Sequence, residues 1–169
     1  MKVSAQTDPF SHKHTSFRRG AGSQVPANPA ALQFCWHLRV GMVRGIEPAK
    51  MKTYADFFYS TYLDPHLCAQ EQLIIACRGL QPAVTRKMMA SHRKLRRLFG
   101  NSNDLLRTMG RIEDALEHHV RLEQRILFRE LYSQYLHNGD DTSRLGRQFY
   151  DPLLALKLSG WKDRYWSLE

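Results

Sequence analysis

Glu117-His118-His119-Val120-Arg121-Leu122-Glu123-Gln124-Arg125-Ile126-Leu127-Phe128 decides how the chain is read, because histidine, carboxylate and apolar residues share one helical face there. On a helix, His119 and Glu123 lie one above the other at i and i+4, flanked by Ala115, Leu116, Leu122, Ile126 and Leu127. A histidine and a carboxylate are thereby aimed at a core. His118 falls instead on a face with Arg111, Asp114, Arg121 and Arg125, the setting of a solvated histidine. The inward couple is either part of a metal ligand set or a satisfied buried hydrogen bond, and what other helices bring to it decides which.

Working outward, the helix that carries this couple is expected to begin near Asn103, to run to about Leu136 and to stop at Asn138-Gly139-Asp140. Before it, a third helix starts near Gln81-Pro82 and ends at Phe99-Gly100, with Met88, His92, Leu95 and Phe99 as its buried stripe. The second opens at Thr53-Tyr54-Ala55-Asp56, a variant capping box, and reads through to Ala76 or Cys77 before Gly79. Its stripe includes Phe58, Tyr62, His66, Gln70, Leu73 and Ile74. Pro65 interrupts it, and because the stripe keeps its phase on both sides a bend is expected rather than a break. Asn28-Pro29 starts the first helix as N-cap and first turn, Gly45 closes it, and Ala30, Phe34, His37, Val40 and Gly41 face inward.

Residues 1–27 mix Ser, Gly, Pro, His and basic residues without a period, as a flexible or extended arm would; His12 and His14 there are read as incidental. Residues 139–169 carry Phe149, Tyr150, Leu153, Leu154, Trp161, Tyr165 and Trp166, too apolar for a free tail. A short helix from about Asp151, packed on the bundle or on a partner subunit, is expected, and this aromatic end is compatible with a homodimer. The fold expected is therefore all-α: an up-down-up-down four-helix bundle over 28–138, with the arm and the short C-terminal helical extension at its ends.

The 169 residues suit one domain with a substantial core. Cys35, Cys68 and Cys77 form no CxxC and no even set, which fits a reducing cytoplasm. No run is long and apolar enough to span a bilayer, and the first 25 residues hold no apolar signal segment, so a soluble cytoplasmic protein with no membrane partner is expected. The net charge of +9 is spread, with its densest points at Phe17-Arg18-Arg19 and at Arg93, Lys94, Arg96 and Arg97. With no nucleic-acid-binding signature beside them, a solvated basic face is favoured over a nucleic-acid surface.

The inward histidines are 37, 66, 92 and 119, at intervals of 29, 26 and 27 residues, each about one helix plus a turn. In an antiparallel bundle such intervals bring the four to similar heights, with Glu123 and Gln70 in the same layer. A single inward histidine is usually a satisfied core residue. Four with a carboxylate are costly to bury unpaired, whereas a divalent metal uses the imidazole lone pairs and offsets the carboxylate charge. Imidazole and carboxylate suit Fe, with Mn or Zn as substitutes.

Taken in order, Cys35-Trp36-His37-Leu38, Pro65-His66-Leu67-Cys68-Ala69-Gln70-Glu71, Ser91-His92-Arg93-Lys94-Leu95 and His119 through Phe128 give the chain a resemblance. Over about residues 28–136 it resembles the hemerythrin-like, HHE cation-binding family. The fourth-helix segment is the specific part; the others contribute order and spacing. The resemblance implies a non-heme di-iron centre in a four-helix bundle, with His37 and His66 on one ion, His92 and His119 on the other, and Glu123 bridging. Where the family has a glutamate one turn after the second-helix histidine, this chain has Gln70. A neutral amide bridges poorly, which implies one ion per chain, or two held by Glu123 and solvent. Glu71, at i+5 from His66, points away from the stripe.

The function expected is a non-heme iron protein of hemerythrin-like kind that binds or senses a small diatomic ligand, O2 or NO, or takes part in iron handling or iron-sulfur repair. No nucleophile or phosphate loop marks it as an enzyme. Tyr62, on the His66 stripe, is a candidate neighbour of the metal and equally a core aromatic. The rival expectation is a metal-free helical interaction module, associated with nucleic acid through the basic third helix.

Overall fold

A computed structural model of the chain describes residues 28–137 and 152–167; the expected arm over 1–27, the stop at Asn138-Gly139-Asp140, and Phe149 and Tyr150 lie outside them. The described residues are all-helical, with no strand among them.

Helix α1 spans Pro29–Val43. Asn28 caps it as expected, its Oδ1 accepting from the Ala31 amide at 3.0 Å, and the proline at the first turn sacrifices no donor. Gly45, with φ of +64°, takes the left-handed position that ends the helix. An alanine there meets no neighbouring atom, so its cost is the backbone strain alone. Gly45→Ala is expected to lower stability by about 1 kcal/mol in denaturant titration, with no change in spectroscopic signature.

The second helical unit begins earlier than its capping-box reading. Helix α2 spans Pro48–Phe58, with Pro48 rather than Thr53 at its start, and the Thr53 hydroxyl donates back to the Ala49 carbonyl at 3.0 Å inside the helix. A proline after an extended residue starts a helix without any side-chain cap, and this outweighs the Thr-to-Asp pattern. The chain does not break at Pro65. A π-helical turn, Tyr59–Leu63, passes directly into α3, Asp64–Ala76. The wider turn carries the chain past the missing proline donor, its Asp64 amide bonding back to Tyr59, and keeps Phe58, Tyr62 and His66 on the buried side.

Helix α4 spans Pro82–Phe99 and buries Met88, His92, Leu95 and Phe99, as its stripe requires. Helix α5 spans Leu105–Leu122 behind the Asp104 cap, a second π turn covers Glu123–Leu127, and α6 continues over Phe128–His137. His118 is exposed and His119 is buried, which separates the two neighbours as their faces demand.

Successive units run antiparallel. Along α1 and the second unit, Gly41 meets Met51, His37 meets Tyr54, Phe34 stacks on Phe58 and Asn28 meets Tyr62. The crossing at Gly41 is close: a Cβ there would approach Met51 Sδ to 2.6 Å and a Tyr165 ring carbon to 2.9 Å. Helix α1 also runs against α5, where Cys35 Sγ donates to the Glu113 carbonyl and Arg39 pairs with Glu113 and Glu117. One apolar cluster, built on Phe34, Leu38, Met51, Phe58, Ile112 and Leu116, fills this end, and a second, around Met88, Leu127, Phe128 and Leu131, fills the other. The C-terminal segment contributes α7, Pro152–Lys157, and a 3-10 turn, Leu158–Gly160, and packs Trp161, Tyr165 and Trp166 against α1 and α2.

Candidate functional site

A polar layer separates the two apolar clusters. It is made of His66 and Gln70 from α3, His92 from α4, His119 from α5 and Glu123 at the start of the second π turn, each at most 2% exposed. His66 Nε2 and His119 Nε2 both lie 3.0 Å from Glu123 Oε1. The Gln70 amide nitrogen is 2.8 Å from His66 Nε2 and donates to the same Glu123 oxygen, while Gln70 Oε1 is 3.1 Å from His92 Nε2. The His92 and His119 rings meet edge to face at 5.1 Å. Five of the six residues picked from the sequence thus converge.

His37 does not join them, which corrects the equal-height reading. Its Nδ1 pairs with the Tyr54 hydroxyl at 2.6 Å, its ring stacks on Trp166 at 3.7 Å, and Asn28, not His37, is the α1 residue beside His66. Asn28 and His37 are nine positions apart on α1, or about 13 Å at 1.5 Å per residue. Heights match across an antiparallel turn only when the two arms on either side are equally long. From His37 to the end of α1 at Val43 is a short arm, and from Pro48 to His66 a long one, so an interval of the right total length still misses.

One participant, Asn28, went unseen as a site residue. Asn28 caps α1, accepts from the Tyr62 hydroxyl at 2.6 Å and holds its amide nitrogen 3.3 Å from His66 Nε2. Tyr62 lies nearly parallel to the His66 ring at 5.7 Å, so it does stand beside the layer. Glu71 does not replace Gln70 in the layer. It accepts from His92 Nδ1 at 2.8 Å and is itself held by Arg96, which also bonds Asp64. This carboxylate-histidine pairing fixes the His92 tautomer and leaves its Nε2 lone pair facing the layer. The acidic residue one position after an expected ligand, with Arg96 one turn past His92, was the signal available for it.

Charge follows from these contacts. Burial pushes the Glu123 carboxyl up, but His119 and His66 outweigh that and hold it well below the usual carboxylate range. Burial, with repulsion from His119, pulls His92 down to about 4 against the opposing pull of Glu71, so it is neutral at pH 7. Burial likewise lowers His37 to about 4.

With the His92 proton on Nδ1, its Nε2 lone pair faces the Gln70 oxygen; turning that amide over would cure this contact and set the same oxygen against the Glu123 carboxylate. Glu123 Oε2 and His119 Nε2 are buried with no hydrogen-bond partner, since the 3.0 Å approach of His119 to Glu123 lacks hydrogen-bond geometry. Among the described residues no three His, Cys, Asp or Glu side chains form a ready-made metal group, and the Gln70 amide nitrogen sits against both His66 Nε2 and Glu123 Oε1. The donor set is nonetheless of metal-binding type. Bonds of about 2.1 Å in octahedral geometry put neighbouring ligand atoms about 3.0 Å apart, the separation of both histidines from Glu123.

No protein family, curated protein or solved structure matches this chain. Among the described residues no helix is long and apolar enough to cross a membrane.

Proposed function

We propose that the chain is a hemerythrin-like four-helix bundle that holds one non-heme metal ion, iron first, and presents it to a small diatomic ligand such as O2 or NO. The observation that carries this reading is that two polar atoms of the buried layer, Glu123 Oε2 and His119 Nε2, have no hydrogen-bond partner. Two imidazoles and a carboxylate around one point are the ligand type of non-heme iron, and here these would be His66, His119 and Glu123, with His92 as a fourth donor. The set is sized for a single ion, since His37 contributes to a different part of the fold and Gln70 supplies no charge. Ferrous iron held there would supply an open coordination position. The protein's own part is to exclude bulk water, to keep His92 in one tautomer through Glu71 and Arg96, and to hold the Glu123 carboxylate ionised.

Metal per chain and an optical spectrum after anaerobic purification test the reading. About one iron per chain is expected for the wild type and for His37→Ala, and a loss of most of it for His119→Ala; a wild type free of metal would overturn it. Gln70→Glu adds a second carboxylate to the layer. It is expected to raise the metal bound per chain and, once metal is stripped, to lower stability by about 1–3 kcal/mol, because two carboxylates then face each other in the interior.

One observation favours a second reading, a metal-free helical module: the Gln70 amide donates toward both His66 and Glu123 and so partly stands in for a cation. In that case the exposed basic face of α4, with Arg86, Lys87, Arg93, Lys94 and Arg97, is its natural contact surface. Steeply salt-dependent DNA or RNA binding by a metal-free wild type would establish that reading instead.

A further inference from the structure

The C-terminal segment folds over α1 and α2 and leaves a cleft of about 410 Å³ between them, bordered by Phe34, His37, Tyr54, Trp161, Arg164 and Trp166. That volume falls in the range of small-molecule sites. Its walls are aromatic, with Trp161 against Tyr54 at 5.2 Å and Trp166 against Tyr54 at 4.7 Å, the kind of lining that suits a planar ring. Its charge is one-sided. Among the described residues no carboxylate lines it, and Arg164 is exposed and makes no ion pair. His37, only 4% exposed, also lines the cleft, and its Nε2 has no partner. A buried polar atom left open in the wall of a cleft carries a cost that a bound molecule can remove.

We propose that this cleft is a binding site for a small aromatic carboxylate, its ring against Trp161 and Trp166 and its carboxylate on the Arg164 guanidinium. A planar fork of donors recognises a carboxylate in two-pronged fashion, and the aromatic walls exclude competing water from one side of that pair. The site is separate from the polar layer. It is built on His37, whose place on α1 is about 13 Å from Asn28 and the layer, so it stands whether or not the layer binds metal.

Phenylacetate and its uncharged isostere phenylacetamide, titrated into the full chain and followed by tryptophan fluorescence and saturation-transfer NMR, provide the test. The expected result is binding of phenylacetate at least tenfold tighter than phenylacetamide. Arg164→Gln should erase that preference while leaving the amide's affinity unchanged, and Trp166→Ala should weaken both ligands several-fold. Because Arg164 is exposed, its variant tests recognition without threatening the fold. Glu123→Ala should leave phenylacetate binding as in the wild type. No binding of phenylacetate, equal binding of acid and amide, a preference that survives Arg164→Gln, or loss of binding in Glu123→Ala would each overturn the proposal.

Discussion

Replacing Glu123 with alanine is expected to reduce the iron retained per chain at least tenfold and to abolish any metal-dependent absorption, a larger loss than that of any single histidine. The reason is charge. The layer's histidines and its amide bring no negative charge, and Glu123 is the one fully buried carboxylate among the described residues that would compensate a divalent cation in the core. Removing His119 or His66 deletes one donor of several; removing Glu123 leaves a cation with no counter-charge in a dry layer. Even perturbing a group that merely orients a ligand costs about 10–100-fold in affinity, so losing the charged ligand itself should cost at least as much. Elemental analysis of wild type and variant from the same anaerobic preparation decides it, with far-ultraviolet circular dichroism confirming that helicity is kept. Equal iron in the two proteins would rule Glu123 out as a ligand.

The stability of the metal-stripped protein is expected to fall by about 4 kcal/mol between pH 7 and pH 5. His37 and His92 are buried and titrate near 4, against an ordinary value of 6.5 that the unfolded chain restores. In that window the unfolded state binds more protons than the folded one, so stability rises with pH, and each histidine contributes about 1.4 kcal/mol per pH unit below 6.5, or about 2 kcal/mol by pH 5. The stabilising contribution is complete above pH 6.5 and is lost progressively as the pH falls toward 4. Urea titrations at half-unit pH steps measure the slope. His37→Phe should remove about half of it, and a flat profile would mean that neither histidine is held neutral.

How much of this was legible in the sequence can be judged from particular residues. The stripe of Met88, His92, Leu95 and Phe99 needed only the 3.6-residue period, and α4 formed where it predicts. His119 and His118 were told apart by the polarity of their faces, and burial bears that out. His37 also points inward, as its stripe requires, yet facing inward does not fix height. That depends on where the turn falls, and the helix beginning at Pro48 rather than Thr53 lengthened one arm only. The π turns were invisible for a related reason: apolar spacing of i, i+4 and i+8 through Phe58, Tyr62 and His66 suits an α-helix and a slightly widened one alike. Asn28 was read through its strongest local signal, the cap, which hides a second use of the same side chain 38 residues away.

The two π turns have a bearing on how this chain could change over time. Each adjoins the polar layer, one ending three residues before His66 and the other opening at Glu123, and each spends one more residue per hydrogen-bonded ring than an α turn does. A helix carrying such a turn can absorb the deletion of one codon by relaxing to an ordinary α-helix. The backbone would survive, and everything downstream would keep its orientation around the axis, because the wider turn already fits one extra residue into nearly the same rotation. Deleting Ser60 should therefore keep the circular dichroism spectrum helical and leave His66 and Gln70 in the layer, and a layer lost in that variant, read as loss of bound metal, would count against the idea. These two turns are thus places where a helix of this chain can lose one residue and still present the same face to the layer.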